Sequence, residues 1–251
     1  MRIIFLGTGG GRFVVFKQLR ATGGLWVDTG KKNILIDPGP CSLLRIIRSK
    51  RNLKISHINY IILTHRHLDH SADVNTIIEA LTEGGFKRKG ILVAPLDALE
   101  DDPVVLRYLR GFLEDIVVIK EGLRLNIDED VTLQFSRKLV HPVETYGMNF
   151  YKNHVNVLSI ISDTEYYKGI EEDFCGKTVI MNVVTKERKN LKHLSLEDVK
   201  EFLNSRKPDT LILTHFGMTM IKAKPWIIAG ELSKTYQVNV IAARDGMEVE
   251  V

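Results

Sequence analysis

The sequence predicts an α+β fold: two packed sheets with helices on the outside. Three observations predict it. Short apolar, β-branched runs bounded by turn residues recur along the chain and read as strands. Among them lie segments whose apolar residues repeat at helical spacing. No linker, low-complexity run or convincing short repeat interrupts the chain, so its 251 residues read as one domain, 1–251.

Composition agrees. Apolar residues make up 44% and charged residues 26%, ordinary for a soluble globular protein with a real core. No stretch approaches the roughly eighteen apolar residues of a membrane span. Ile3-Ile4-Phe5-Leu6 stops at Gly7, too short for the apolar region of a signal peptide. Cys41 and Cys175 lack the spacing of a metal knuckle or redox pair, and fit reduced thiols in a cytoplasm. The net charge of +4 is too mild to argue for nucleic-acid binding. Basic clusters at Arg48–Lys54 and Lys87–Lys89 read as solvated helix ends and loops. A third, at Lys186, Arg188, Lys189 and Lys192, runs into His193.

In order, Arg2 to Leu6 reads as a strand. Gly7-Thr8-Gly9-Gly10-Gly11 follows. It is not the dinucleotide fingerprint, since Arg12 takes the sixth position and no amphipathic helix is expected to open there; it also lacks the G-K-[ST] of a phosphate loop. It is either a turn needing positive φ or a loop that lets backbone approach a ligand closely. Gly24 to Thr29 and Lys32 to Ile36 are two strands around Gly30, the second ending in Asp37-Pro38-Gly39. Leu43 to Ile47 marks a helix, Tyr60 to Leu63 a buried strand, and Val74 to Leu81 a helix. Ile91 to Ala94 is a strand, and Leu96 to Phe112 is helical but broken by Pro103. Ile116–Ile119, Leu123–Ile127, Val131–Phe135, Val140–Thr145, Val155–Ile161 and Thr178–Val183 are strands. Leu196 to Leu203 gives a helical face, Thr210 to Leu213 a buried strand, and Trp226 to Tyr236 a helix. Val238–Ala242 and Met247–Val251 close the chain as strands. Trp26 and Trp226 read as core or partial core, and His57 and His154 receive no role.

The chemistry gathers at Thr64-His65-Arg66-His67-Leu68-Asp69-His70. Imidazole and carboxylate are ligands that divalent transition metals prefer. The strand before the cluster is expected to aim His65 and His67 to one side, while Asp69 and His70 approach from the helix start. His141, Asp163 and His215 each stand at the end of an apolar run. Seven such groups exceed the needs of one tetrahedral zinc and suit two metals a few ångströms apart. Asp37 could make a turn, or accept the free N–H of a metal-bound histidine.

With these residues the sequence resembles the metallo-β-lactamase superfamily, over nearly the whole chain. His65-Arg66-His67-Leu68-Asp69-His70, His141, Ser162-Asp163-Thr164 and Thr214-His215 carry the resemblance. It implies a four-layer αββα sandwich with the site at one edge. It implies that His65, His67 and His141 hold one metal, that Asp69, His70 and His215 hold the other, and that Asp163 bridges them. Asp37 matches the family's aspartate behind the ligands. Within the superfamily the chain looks most like phosphodiesterases, similar to RNase Z and to phosphoribosyl cyclic phosphodiesterase, through Leu6-Gly7-Thr8-Gly9-Gly10 and His193-Leu194-Ser195. RNase Z carries a long substrate-gripping arm between the positions of His141 and Asp163. They stand only 22 positions apart here, which looks closer to the cyclic phosphodiesterase, although that enzyme's cysteine-bound structural zinc has no match.

The expected function is a dinuclear metal-dependent hydrolase of a small or cyclic phosphodiester. A metal-bridging hydroxide is the expected nucleophile and His193 the general acid. Asp69 could also steer the hydroxide. The two divalent ions are expected to be zinc, with manganese or iron as other metals such donors accept. Ser195 with Asp198 suggests a capping box, whose helix start would hold phosphate but disfavour an imidazolium at His193. Lys189 and Lys192 are either attractors of an anionic substrate or a solvated loop. Alternatives are an RNA endonuclease of RNase Z type, a thioester or lactam hydrolase, and a non-catalytic metal-stabilised scaffold. Partners are therefore a small phosphodiester or a nucleic acid, no membrane, and a homodimer by default.

Overall fold

A computed structural model of the protein describes residues 1–251. Its first elements are β1 (Arg2–Phe5), α1 (Arg12–Lys17), β2 (Leu25–Asp28), β3 (Asn33–Ile36), α2 (Ser42–Ile47), β4 (Ile58–Ile62), α3 (Leu68–Ser71), α4 (Val74–Leu81), β5 (Ile91–Ala94) and β6 (Asp115–Val118). There follow β7 (Arg124–Asn126), β8 (Val131–Lys138), β9 (Tyr146–Lys152), β10 (Val155–Ile161), α5 (Ile170–Asp173) and β11 (Thr178–Asn182). The chain closes with α6 (Leu196–Ser205), β12 (Thr210–Thr214), α7 (Met218–Lys222), α8 (Pro225–Tyr236), β13 (Asn239–Ala242) and β14 (Glu248–Glu250). No helix is long and apolar enough to cross a membrane.

These elements form two compact units, each built on one sheet. The first comprises Met1–Thr8, Arg20–Ile119 and Asp245–Glu250. Its sheet runs β14-β1-β2-β3-β4-β5-β6. The strands from β14 to β3 pair antiparallel, and those from β3 to β6 pair parallel. The parallel part needs crossovers: α2 supplies that from β3 to β4, α3 and α4 that from β4 to β5, and the 3₁₀ turns Leu96–Ala98 and Arg107–Phe112 that from β5 to β6. Helix α4 buries Val74, Ile77, Ile78 and Leu81, the stripe that its spacing predicts, in a core with Trp26, Leu35, Ile61 and Leu92.

The second unit comprises Gly9–Leu19, Lys120–Arg244 and Val251. Its sheet runs β13-β12-β11-β10-β9-β8-β7, parallel from β13 to β10 and antiparallel from β10 to β7. Helix α6 contributes Val199, Phe202 and Leu203 to a core with Phe174, Met181, Leu213 and Phe216, and α8 adds Ile228 and Leu232.

Several expectations need correction. Leu96 to Phe112 holds two 3₁₀ turns, Leu96–Ala98 and Arg107–Phe112, and no α-helix. Asp101 and Asp102 both take positive φ just before Pro103, which has no N–H to continue a helix. Val140 to Thr145 is a loop, because Pro142 cannot donate to a ladder; the strand begins at Tyr146. A short helix, α1, does open at Arg12, but it buries only Val14 and leaves Phe13 and Phe16 exposed. Trp26 is core, whereas Trp226 is 58% exposed on the first turn of α8. The one-turn α3, α5 and α7 are too short to show a period in sequence.

Candidate metal centre

In the first unit, Asp37 ends β3 and Thr64 and His65 follow β4, its parallel neighbour. Polar groups at the carboxyl ends of adjacent parallel strands are where open α/β sheets place their ligands. Asp37 Oδ1 accepts the Thr64 N–H at 2.7 Å, and Oδ2 accepts the Thr64 hydroxyl at 2.7 Å. The carboxylate thus takes an N–H that the strand ladder would otherwise use. The strand stops there, so His65 and His67 stand in the irregular turn before α3 and are not aimed by strand alternation. Their ring centroids lie 4.9 Å apart, edge to face. Asp69 and His70 come from α3, as expected, with His70 Nε2 3.9 Å from Asp69 Oδ2. Gly39 makes that seat: a Cβ there would strike the Asp69 carbonyl oxygen.

The imidazole tautomers follow from their partners. A carboxylate only accepts, so His70 Nδ1, 2.8 Å from Asp37 Oδ2, is the donor. The Thr64 hydroxyl gives its proton to the same carboxylate, so it accepts from His65 Nδ1 at 3.0 Å. His65 and His70, 0% and 3% exposed, therefore each keep a lone pair on Nε2, the form that binds a metal.

In the second unit, β10, β11 and β12 are parallel neighbours, and Asp163, Asn182 and His215 stand at or just past their ends. Asn182 Nδ2 donates to Asp163 Oδ1 at 2.8 Å. His215 Nδ1 lies 3.5 Å from Asp163 Oδ1, and His193 Nε2 lies 3.1 Å from Asp163 Oδ2. His141, three residues beyond β8, directs Nδ1 at the Lys192 carbonyl oxygen, 2.8 Å away. A carbonyl also only accepts, so His141 too keeps its Nε2 lone pair. The His141 and His193 rings meet edge to face at 5.0 Å. The donor atoms of His141, Asp163 and His193 lie within 4.8 Å of one another, as do those of Asp37, His65 and His70 in the first unit. This nitrogen-and-carboxylate chemistry fits divalent transition metals.

The loop carrying His193 is built firmly. The capping box read from Ser195 and Asp198 is present, with Ser195 N–H donating to Asp198 Oδ2 at 2.7 Å. Arg188 Nε donates to Asp198 Oδ1 at 2.8 Å, and hydrogen bonds to Glu201 and Asp198 push the Arg188 pKa up. Lys192 is ion-paired with Glu165, whereas Lys189 is exposed. Sequence reasoning missed Asn182 and the Lys192 carbonyl, and it singled out Gly10 within the glycine-rich loop without its contact to His215. Asn182 carried no usable signal, because Val183 and Val184 continue the apolar run past it.

Residues 25–147 match the family model of the metallo-beta-lactamase superfamily. An uncharacterized protein of Methanocaldococcus jannaschii is 33% identical over 262 residues, spanning 100% of this chain and 95% of that protein. Among solved structures, the metallo-beta-lactamase fold protein YhfI from Bacillus subtilis gives a TM-score of 0.77 at 18% identity, covering 100% and 99% of the two chains. A diphosphatase from the PhnP family gives 0.71 at 17% identity, covering 100% and 98%. The short form of human tRNase Z gives 0.68 at 18% identity, covering 100% and 99%. These likenesses give the metallo-β-lactamase fold, of the α+β class expected from the sequence.

Proposed function

Because the chain belongs to the metallo-beta-lactamase superfamily, we propose that it is a dinuclear metal-dependent hydrolase acting on a small or cyclic phosphodiester. His65, His67 and His141 are the proposed ligands of one ion and Asp69, His70 and His215 of the other, and Asp163 would be shared between them. Zinc is the first choice of metal, with manganese or iron as others the donors accept. When bound, such a pair supplies Lewis acidity at phosphorus and a water that is nucleophilic near neutral pH.

The chain's own residues do the rest. Asp37, Thr64 and the Lys192 carbonyl hold His70, His65 and His141 in the tautomer that offers Nε2. One observation carries the phosphodiester reading: His193 Nε2 lies 3.1 Å from the proposed bridging carboxylate. An imidazole beside that carboxylate would be within reach of an ester held there, and alkoxide leaving groups need a proton. Thioester and lactam leaving groups need it less. Asp69 has the second proposed role of orienting the attacking water. Lys189 is the better candidate to attract an anion, since Glu165 offsets Lys192. A cytoplasmic location and a homodimer complete the reading.

The test is His193→Ala. Hydrolysis of bis(p-nitrophenyl) phosphate should fall about 10²- to 10⁴-fold, with metal content unchanged. Full activity in that variant would remove His193 from the mechanism. Faster turnover of lactoylglutathione or a β-lactam than of any phosphodiester by the metal-loaded protein would favour the other hydrolase class. Cleavage of precursor tRNA in preference to cyclic and linear diesters would favour the endonuclease.

A further inference from the structure

We infer that Gly10 is a positioning residue for His215, and that the glycine-rich loop acts as a backbone buttress for this imidazole. The inference rests on the metallohydrolase reading for the role it gives His215. Gly9 bridges Phe216 in parallel, and the Gly10 N–H donates to the Phe216 carbonyl at 3.1 Å. The loop is thereby laced to the residue after His215. A Cβ on Gly10 would stand within 2.5 Å of Nδ1, Cε1 and Cγ of His215. The imidazole therefore rests directly on the Gly10 backbone, and any larger residue would occupy its place.

The neighbouring backbone shows why support is needed. His215 has φ 57, a left-handed conformation that histidine holds only when its surroundings fix it. Two residues past His215, the Gly217 N–H donates to the Val184 carbonyl at 3.1 Å, where a Cβ would collide with that oxygen, and just before His215 the Thr214 carbonyl accepts the Val183 N–H at 2.9 Å. Residues on both sides of His215 are thus tied by backbone hydrogen bonds. Gly10 blocks the ring from relaxing toward the loop, and Asp163 stands 3.5 Å from its Nδ1. The five-residue run Gly7–Gly11 belongs to no nucleotide-binding motif, and this contact accounts for a glycine at position 10.

The experiment is a double-mutant cycle with two readouts. Gly10→Ala, His215→Ala and the double variant are compared with the parent, and Gly230→Ala serves as a control because a Cβ there meets nothing within 4 Å. Zinc uptake is measured by mass spectrometry of the metal, and Tm on the metal-free proteins. Gly10→Ala should weaken binding of one of the ions by about 10- to 100-fold and lower Tm. In the His215→Ala background the same change should leave Tm unmoved, because the ring it strikes is gone. If Gly10→Ala does not fold, recovery of a folded double variant supports the inference, and failure of the double variant overturns it. Equal zinc affinity and Tm in Gly10→Ala and the parent also overturn it. A parent that binds no zinc, manganese or iron sinks the metallohydrolase reading, while the Tm cycle still decides whether Gly10 props the ring.

Discussion

At Asp37 one carboxylate meets three donors: the Thr64 N–H, the Thr64 hydroxyl and His70 Nδ1. It ends a strand, fixes a tautomer and orients a proposed ligand at once. Asp37→Ala should therefore lower metal affinity about 10- to 100-fold, read by competitive chelator titration. Asp37→Asn should rescue part of that loss, since the amide oxygen still accepts one of the donors. Unchanged affinity in both variants would mean that the Nδ1 contact is incidental. The aspartate was visible in sequence as a polar residue closing an apolar strand. Its bond to a residue 33 positions away was not, because folding alone brings those positions together.

At the scale of elements, α6 and the tyrosines near it give two measurable consequences. The Ser195 capping box closes the start of the helix that follows His193. Ser195→Ala should cost about 0.5–2 kcal/mol in denaturant unfolding, because it frees the Asp198 N–H at the helix start. In the loop before α5, burial and then a 2.7 Å hydrogen bond to Asp173 push the Tyr167 pKa up, and burial holds that of Tyr166 up at about 12. An acid that keeps its proton more firmly when folded is penalised once the unfolded chain ionises. Stability from this source is intact below about pH 10 and falls as pH rises above it, until the folded tyrosine ionises too. Urea unfolding at pH 9 and pH 11 should show a smaller alkaline loss in Tyr167→Phe than in the parent. An equal loss would assign the effect to other groups. The longer helices α4, α6 and α8 were legible because two to three turns repeat a period. The region Leu96–Phe112 was not, since two positive-φ aspartates before a proline override its apolar content.

For the whole molecule, both units repeat one plan: a seven-stranded sheet, antiparallel over one part and parallel over the other, with polar residues past the ends of parallel strands. The two chains of secondary structure share no short sequence repeat, so the likeness is one of topology. The proposed ligands range from His65 to His215, about three-fifths of the chain. Ligands that bind only the folded state stabilise it by mass action. Chelation should therefore lower Tm, and restoring zinc should recover it, in a calorimetric scan at fixed pH. A Tm indifferent to chelator would argue that the protein as prepared holds no structural or catalytic ion.

The sequence by itself determined the strand and helix periods, the α+β class and the residue types able to hold metals, because these depend on local patterns and on side-chain chemistry. The tertiary structure alone decided which Nδ1 each acceptor occupies, that Asn182 and the Lys192 carbonyl join the ligand surroundings, and that His215 leans on Gly10. Those are contacts between segments far apart along the chain. Their geometry depends on where each strand stops, and a strand stops where a distant group, such as Asp37, takes its next hydrogen bond.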